Sequence, residues 1–211
     1  MNKLSDSLLN MTVVLTATAI VTGGILAFVN SKTEGPISEV KQKELTEGIV
    51  NVIGDPNLTV TANDSTKDSN GKDIVIHRVA DKDGNSLGAA VESSTMGFGG
   101  ELKVLTGFDN DGNILGYAIL TSSETPGLGA KADKWFQKDG KGSIISMNPG
   151  KNNMTVSKDG GEVDAITAST ITSRAFLGAV NSAYKAVSCS NADAQSCATK
   201  NANDNQTTEQ K

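Results

Sequence analysis

A stretch of 19 residues without a charged side chain, Met11 to Val29, constrains the fold of this chain more than any other feature. As an α-helix, it would be about as long as the roughly 30 Å hydrocarbon core of a bilayer is thick. The one lysine before it, Lys3, is offset by Asp6, and neither an Ala-x-Ala cleavage site nor a cysteine for lipidation directly follows it. These features favour a retained anchor over a cleaved signal peptide. We therefore predict a membrane anchor helix over residues 1–30.

Small residues recur along one side of this predicted helix. Thr12, Thr16, Ala19 and Gly23 are separated by four, three and four positions. In lipid, such a seam of small side chains lets a second helix pack closely. The seam therefore predicts contact with a partner subunit. Lysines lie on both sides of the apolar stretch, so charge alone does not predict the orientation of the helix in the membrane.

A second helix is predicted directly after the anchor. Pro36 suits the first position of a helix, and apolar residues recur on roughly one side as far as Ile53. This helix would be a stalk over residues 31–56 that leads from the membrane to a folded domain, and Asp55-Pro56 would end it. The polar run over residues 63–72 is predicted to be a loop.

The following section is predicted to be an antiparallel sheet. Two similar segments with Asp-Gly pairs, Asp83-Gly84 and Asp111-Gly112, lie 28 residues apart between apolar runs, a pattern that is typical of β-hairpins. Neither segment fits a calcium-binding EF-hand loop, because the glycine is at the fourth position and not the sixth. Strands are predicted near residues 74–80, 86–93, 101–108 and 114–121, and His77 is interpreted as a strand residue.

Residues 163–174 are predicted to form a corner between a strand at Val163 to Ile166 and a helix that runs to Val187. A narrow face of this helix that can pack tightly on a sheet is predicted from Ile171, Ala175, Ala179, Ala183 and Ala186. The corner is rich in hydroxyl residues, and Thr170 would lie in the first turn of the helix. The backbone N–H groups of a first turn lack partners within the helix and favour a phosphate. Ser and Thr at such positions are also common helix caps, so both interpretations stay open on these residues alone.

The segment Glu124 to Gly129 is predicted to be a tight loop. Pro126-Gly127 suits the two central positions of a type II turn. A dinucleotide-binding interpretation of the same glycines is not favoured, because no βαβ repeat surrounds them. A short helix is expected at residues 134–136, with Trp135 interpreted as a core residue and not as a partner of a flavin.

Composition excludes several classes of function. The net charge of −5 and the lack of a basic stripe argue against binding of nucleic acid. One histidine and two cysteines cannot build a tetrahedral zinc site or an iron–sulfur cluster, and no metal site is predicted. No nucleophile with a paired base is recognisable either, so no catalytic residue is predicted. Any redox chemistry must therefore come from an organic cofactor.

The loop and the corner together resemble a known family. They are similar to the FMN-binding domain of the G subunit of Rnf-type ion-translocating oxidoreductases and of the related C subunit of sodium-pumping quinone reductases, and the resemblance runs roughly from Met96 to Tyr184. It implies an α+β FMN-binding domain over residues 57–188, with an antiparallel sheet and packed helices. Two departures are visible: Ala168-Ser169 replaces the usual Gly-Ala pair, and Ser122-Ser123 stands where many relatives carry His.

The resemblance also implies the site residues. Thr170 would carry covalent FMN through a phosphoester bond, with Ser169 as a rival hydroxyl, while Asp164 and Thr167 would belong to the sequence that a flavin transferase recognises. The loop that begins at Glu124 would lie against the flavin. The predicted cofactor-binding residues are Thr170, Asp164, Thr167, Ala168, Ser169, Glu124, Thr125, Gly127, Leu128 and Gly129.

The function implied by the resemblance is that of a membrane-anchored electron-transfer subunit of an ion-translocating ferredoxin:NAD oxidoreductase complex, a redox subunit that does not catalyse the overall reaction alone. It would cross the bacterial inner membrane once, hold its domain on the extracytoplasmic side, and contact other subunits of the complex. The competing hypothesis is an anchored extracytoplasmic binding or scaffold domain without redox function, in which the corner is only a helix cap.

The C-terminal residues 189–211 are predicted to be a disordered tail, because their polar composition cannot bury enough apolar surface to order the chain. Cys189 and Cys197 are expected to form a disulfide if the domain faces an oxidising compartment. Two free thiols remain the alternative.

Overall fold

The computed structural model describes residues 8–68 and 70–191. The chain divides after Leu45 into an N-terminal and a C-terminal unit. In chain order the elements are α1 (Leu8–Ile53), β1 (Thr59–Lys67), β2 (Asp73–Ala80), β3 (Ser86–Met96), β4 (Glu101–Phe108), β5 (Ile114–Ser122), a 3-10 helix (Gly129–Lys131), α2 (Ala132–Trp135), a second 3-10 helix (Ser157–Asp159) and α3 (Thr170–Asn191).

The N-terminal unit consists of helix α1 as far as Leu45. Within the described part of the chain, α1 is the one helix that is long and apolar enough to cross a membrane, with a mean hydropathy of 2.1 in its most apolar window. Threonine hydroxyls in this stretch donate to carbonyls one turn earlier; Thr16 Oγ1 donates to Thr12 O at 2.8 Å. Such bonds satisfy the hydroxyl groups inside the helix, as an apolar surrounding requires.

The helix predicted to begin at Pro36 does not begin there, because α1 continues without interruption through Pro36. A proline inside a helix removes one backbone hydrogen bond. The helix continues on either side of it, and the hydroxyls of Thr33 and Ser38 bond back to the preceding turn. The prediction that a helix begins at Pro36 was therefore wrong, although it placed the helix end at Ile53 correctly.

The C-terminal unit is built on a five-stranded antiparallel sheet whose strands follow one another in the order β1 to β5. The predicted hairpin turns are confirmed. In each turn an aspartate side chain accepts hydrogen bonds from the backbone two and four residues later: Asp81 from Asp83 and Asn85, and Asp109 from Asp111 and Asn113. The side-chain amide of Asn85 also bonds Asp81, and these hydrogen bonds lower the pKa of that carboxyl.

Strand β1 corrects the prediction of a loop over residues 63–72. It pairs antiparallel with β2 from Thr59↔Ala80 to Lys67↔Asp73. Nearly all of its side chains are exposed, so the alternation of apolar and polar residues that indicates a strand is missing from its sequence. Its order comes from backbone pairing at the edge of the sheet.

Helix α3 covers one face of the sheet. Its predicted alanine face is confirmed, since Ala175, Ala179, Ala183 and Ala186 are buried. Phe176 is stacked on Phe136 with ring centroids 4.3 Å apart. Ile171, expected on the same face, is instead 52% exposed because it lies in the first turn, at the end of the sheet. The helix runs to Asn191, so Cys189 is helical and not in a tail; residues 192–211, with Cys197, lie outside the described residues.

The C-terminal turns of α1, from Thr46 onward, cover the opposite face, where Ile49 and Val52 are buried. Gly107 and Gly116 are paired neighbours on β4 and β5. A Cβ atom on Gly107 would lie 2.4 Å from Val52 Cγ1, and one on Gly116 would lie 2.8 Å from Val52 O. Glycine at both positions therefore lets the helix backbone approach the sheet.

The strand predicted at Val163 to Ile166 is not formed. Val163 makes a single parallel bridge with Val156, while the side chains of Val163 and Ile166 are buried in the core. The apolar residues of this segment thus indicated burial and not strand pairing. The short helix expected near Trp135 is confirmed as α2, and the Trp135 ring packs against the core.

A buried polar cluster on the face opposite α3 joins neighbouring strands of the sheet. His77 Nε2 lies 2.8 Å from Glu92 Oε1, His77 Nδ1 lies 2.7 Å from Asn63 Oδ1, and Lys103 Nζ lies 2.5 Å from Glu92 Oε2. Burial alone would raise the pKa of Glu92, but the hydrogen bonds from His77 and Lys103 outweigh it, so the pKa is lowered. The cluster is thus held by an ionised carboxylate.

The lowered pKa gives a prediction for acid stability. Glu92 contributes stability above its unfolded-state pKa, and this contribution is lost as the pH falls through its lower folded-state pKa. Glu92→Gln should cost on the order of 1–3 kcal/mol at pH 7 and flatten the acid limb of the stability profile, as measured by urea unfolding across pH. The exposed Glu101→Gln is the control and should leave both unchanged. An unaltered acid limb in Glu92→Gln would contradict the assignment.

Candidate functional site

Three segments meet at one end of the sheet and enclose a cavity of about 450 Å³. They are the turn between β3 and β4, the loop after β5, and the turn that leads into α3. The cavity is lined by Phe98, Glu124, Thr125, Leu128, Gly129, Ala168, Ser169, Thr170, Ile171 and Thr172. A volume of this size is in the range of small-molecule and cofactor sites.

The Glu124 carboxylate holds the three segments together. Its Oε1 accepts hydrogen bonds from the backbone N–H groups of Phe98 at 2.7 Å and Gly99 at 3.3 Å, and its Oε2 accepts one from Thr172 Oγ1 at 2.9 Å. Glu124 is only 8% exposed. A Cβ atom on Gly97 or Gly129 would lie 2.0 or 2.4 Å from its oxygens, so glycine is needed at both positions. Glu124 therefore positions the cavity wall.

The tip of the loop after β5 is the predicted type II turn. Leu128 N donates to Thr125 O at 3.1 Å, and Gly127 has a φ of 79°, a conformation that glycine adopts without steric cost. Gly127 itself lines a neighbouring cavity on the other side of the loop, with Trp135. Leu128 lies on the side of the first cavity.

The start of α3 is fixed from within by Ser173. Its hydroxyl donates to Ser169 O at 3.0 Å and accepts from Ile166 N at 2.9 Å. Within the described ranges, the hydroxyls of Thr167, Ser169 and Thr170 have no hydrogen-bond partner, in contrast to those of Thr172 and Ser173. Of these three, Ser169 and Thr170 line the cavity.

The N-terminus of α3 gives the cavity its electrostatic character. Thr170 is the first of 22 helical residues, and the N–H groups of a first turn have no acceptor within the helix. Together with the helix dipole they favour an anion such as a phosphate. No lysine or arginine is found among the described residues that line the cavity, so the backbone supplies the positive potential.

Three predicted site residues lie outside the cavity lining: Gly127, which lines the neighbouring cavity, Asp164 and Thr167. Asp164 is exposed; its carbonyl accepts a hydrogen bond from Trp135 Nε1 at 2.8 Å, and its carboxylate accepts one from Ser157 Oγ at 3.1 Å. Thr167 is exposed in the turn before α3. The remaining predicted residues line the cavity together: Glu124, Thr125, Leu128, Gly129, Ala168, Ser169 and Thr170.

Phe98, Ile171 and Thr172 also line the cavity but were not among the predicted site residues. Phe98 had a signal in the sequence, because it is an aromatic residue between glycines in Gly97-Phe98-Gly99-Gly100. Ile171 was assigned to helix packing. Nothing in the sequence pattern distinguished the hydroxyl of Thr172, which bonds Glu124, from its neighbours.

Comparison with known proteins fits this geometry. Residues 97–185 match the family model of the FMN-binding domain, and this range includes all three segments of the cavity. The G subunit of the ion-translocating oxidoreductase complex of Vibrio parahaemolyticus is 34% identical over 89% of this chain and 93% of its own length. The corresponding protein of Shewanella piezotolerans is 31% identical over 84% and 88%. The chain belongs to this G-subunit family.

The match also extends to the G subunit of Methanosarcina acetivorans, which is 29% identical over 87% of this chain and 96% of its own length. The predicted fold, an N-terminal apolar helix followed by an α+β FMN-binding domain, is confirmed. The cavity also fits FMN physically, because a helix N-terminus suits its phosphate and the side chains of Phe98, Leu128 and Ile171 offer apolar surface for its ring system.

Ala168, which departs from the pattern of the G-subunit family, has a φ of 64°. This left-handed conformation costs a residue with a Cβ atom roughly 1–2 kcal/mol relative to glycine. Glycine would recover only part of that free energy, because its larger conformational freedom stabilises the unfolded chain. Ala168→Gly should therefore stabilise the domain by about 0.5–1 kcal/mol in thermal unfolding. Ala165→Gly, three residues earlier and without a positive φ, should destabilise it. Equal effects of the two changes would argue against strain at Ala168.

Glu124 gives a second prediction. Glu124→Ala should leave two backbone N–H groups and a hydroxyl without their acceptor and cost about 2–4 kcal/mol, with faster proteolysis of residues 97–100. In Glu124→Gln the amide oxygen can still accept from the backbone while the NH₂ group donates to Thr172, so most of the stability should remain. Comparable proteolysis of Glu124→Ala and the unaltered chain would show that the carboxylate does not hold the segments.

Proposed function

We propose that this chain carries FMN covalently, as a phosphoester of Thr170, and that it relays electrons as a subunit of an ion-translocating ferredoxin:NAD oxidoreductase complex. The observation that carries the proposal is the position of Thr170. Thr170 lines the cavity at the start of α3, inside the segment that matches the FMN-binding domain.

The hydrogen bonds at the start of α3 favour this hypothesis over a scaffold domain with a simple helix cap. The hydroxyl that braces the corner belongs to Ser173. Among the described residues, the hydroxyls of Ser169 and Thr170 have no such role, and both residues line the cavity. Thr170 is preferred to Ser169 because it is the first helical residue and stands at the position that the family resemblance assigns to the hydroxyl carrying FMN.

Each part of the cavity would have a distinct role toward the cofactor. The first turn of α3 would hold the phosphate. Phe98, Leu128 and Ile171 would contact the ring system and keep water from it, while Glu124 would hold the walls in place. FMN would supply the redox chemistry, for which the protein provides binding and orientation.

Asp164 and Thr167 would act before the cofactor is in place. Both are exposed and outside the cavity lining, so a flavin transferase could contact them while Thr170 is modified. The bonds of Asp164 to Trp135 and Ser157 would keep this recognition segment in a fixed conformation.

We further propose that the apolar stretch of α1 crosses the bacterial inner membrane once and that the domain faces the extracytoplasmic side. A reversibly bound flavin would be diluted there, and a covalent bond prevents its loss. The domain bounds 1–30, 31–56, 57–188 and 189–211, and contact of the small-residue seam with another subunit, remain predictions.

Substitution of the corner hydroxyls tests the attachment. In cells that contain the flavin transferase, Thr170→Ala should abolish flavin fluorescence of the chain on a denaturing gel, because the acceptor oxygen is gone. Ser169→Ala is the matched control and should retain it, and Thr170→Ser should retain part of it. Full fluorescence of Thr170→Ala would reject Thr170 as the acceptor.

A further inference from the structure

Two carboxylates are buried in the described part of the C-terminal unit, and they differ in how their charge is balanced. Glu92 forms an ion pair with Lys103. Among the described residues, no lysine, arginine or histidine pairs with Glu124, whose three donors are uncharged: two backbone N–H groups and the hydroxyl of Thr172. Hydrogen bonds of this kind stabilise a carboxylate but leave its net charge in place. Glu124 therefore keeps an unbalanced negative charge in the cavity wall.

The bonds that Glu124 makes within the fold do not require this charge. A glutamine at position 124 could accept from the same two backbone N–H groups and donate to Thr172. A neutral amide would also avoid the free-energy cost of burying a charge without a cation. The structural role of Glu124 thus accounts for its hydrogen bonds but not for its charge, and the charge borders the cavity that Glu124 lines.

The cavity wall contains no second charge that would offset that of Glu124. Glu124 is the one ionisable side chain among the described residues that line the cavity. Glu101 and Arg174, which follow two of the cavity segments, are exposed, and Arg174 is paired with Asp159. Water and salt screen exposed charges strongly and buried charges much less. A ring system in this cavity would therefore experience mainly the negative potential of Glu124.

We propose that Glu124 lowers the reduction potential of the FMN that this chain carries. The inference rests on the proposed attachment of FMN at Thr170. Two electrons from a redox carrier of the complex and one proton from water leave the ring system with one negative charge, which uptake of a second proton removes. A carboxylate in the same cavity destabilises the charged form, and charge near the ring system is one means by which a protein tunes a flavin. The bound flavin is thereby a stronger reductant than it would be beside a neutral side chain.

Redox titration of the flavin-bearing, full-length chain with dithionite tests this role of Glu124. Glu124→Gln removes the charge and retains the hydrogen bonds, so the equilibrium should shift at least about tenfold toward reduced flavin, which is about 30 mV for two electrons. The shift should be the same at about 0.05 and 0.5 M salt, because the charge is buried. Glu101→Gln removes an exposed charge at the same end of the sheet and is the matched control. It should shift the equilibrium less than about twofold.

Thr172→Val separates the charge of Glu124 from its structural role. This variant breaks the bond between the loop and α3 but keeps the carboxylate, which then has one donor fewer. The potential should therefore fall, with a shift of at least about twofold toward oxidised flavin. If Glu124 only held the cavity closed, both variants would admit water and shift the potential in the same direction. A rise in Thr172→Val, or no rise in Glu124→Gln, would overturn the proposal. If Glu124→Gln does not fold, Thr172→Val decides: a fall supports the proposal, and an unchanged potential overturns it.

In-gel flavin fluorescence of the same samples distinguishes failure of the proposal from failure of the attachment. An unaltered chain without covalent flavin would reject the attachment and the inference with it. Fluorescence of both the unaltered chain and Glu124→Gln, with equal potentials, would reject the role of Glu124 alone. Fluorescence of the unaltered chain but not of a folded Glu124→Gln chain would assign Glu124 to the attachment instead, and would overturn the proposal.

Discussion

The buried Glu124 carboxylate is the interaction on which the site depends. A charge at 8% exposure is costly unless it is bonded, and its acceptors are engaged by donors from two other segments, the β3–β4 turn and the first turn of α3. Because Gly97 and Gly129 press directly against this carboxylate, the loop, the turn and the helix start are fixed relative to one another. The cavity between them thus has a wall that is set before any cofactor arrives.

The sheet makes this arrangement possible by keeping its two faces occupied and one end open. Helix α3 packs on one face, with its buried alanines against β3 and β4, and the last turns of α1 pack on the other face through Gly107 and Gly116. Both helices meet the sheet through small residues, so the backbones are close and the layers are firm. The functional groups are then collected at the end where β3 passes into β4 and β5 ends.

Much of this fold follows from local signals in the sequence. The local pattern alone was sufficient for three kinds of feature. They are the Asp-Gly turns, the four apolar strands and the alanine face of α3. Strand β1 was not predicted, because its side chains are exposed and its order comes from backbone pairing alone. The helix start predicted at Pro36 was wrong, because backbone hydrogen bonding continues on both sides of the proline. At the site, the family resemblance pointed to Thr170, Ser169 and the loop, and these residues line one cavity. Glu124 joins three segments through contacts with residues up to 48 positions away, which no local pattern encodes. Ser173 braces the corner through Ile166 and Ser169, 7 and 4 positions away, but the sequence does not distinguish its hydroxyl from those of its neighbours.

The central claim is that the first turn of α3 carries the cofactor through a covalent bond. Mass spectrometry of the tryptic peptide Asp159 to Arg174, prepared from membranes of cells that contain the flavin transferase, tests it most directly. Fragmentation should show one added FMN, located on Thr170 and on no other hydroxyl of the peptide. A peptide without added mass, from a preparation in which other flavin-bearing subunits are modified, would contradict the attachment and the electron relay that rests on it.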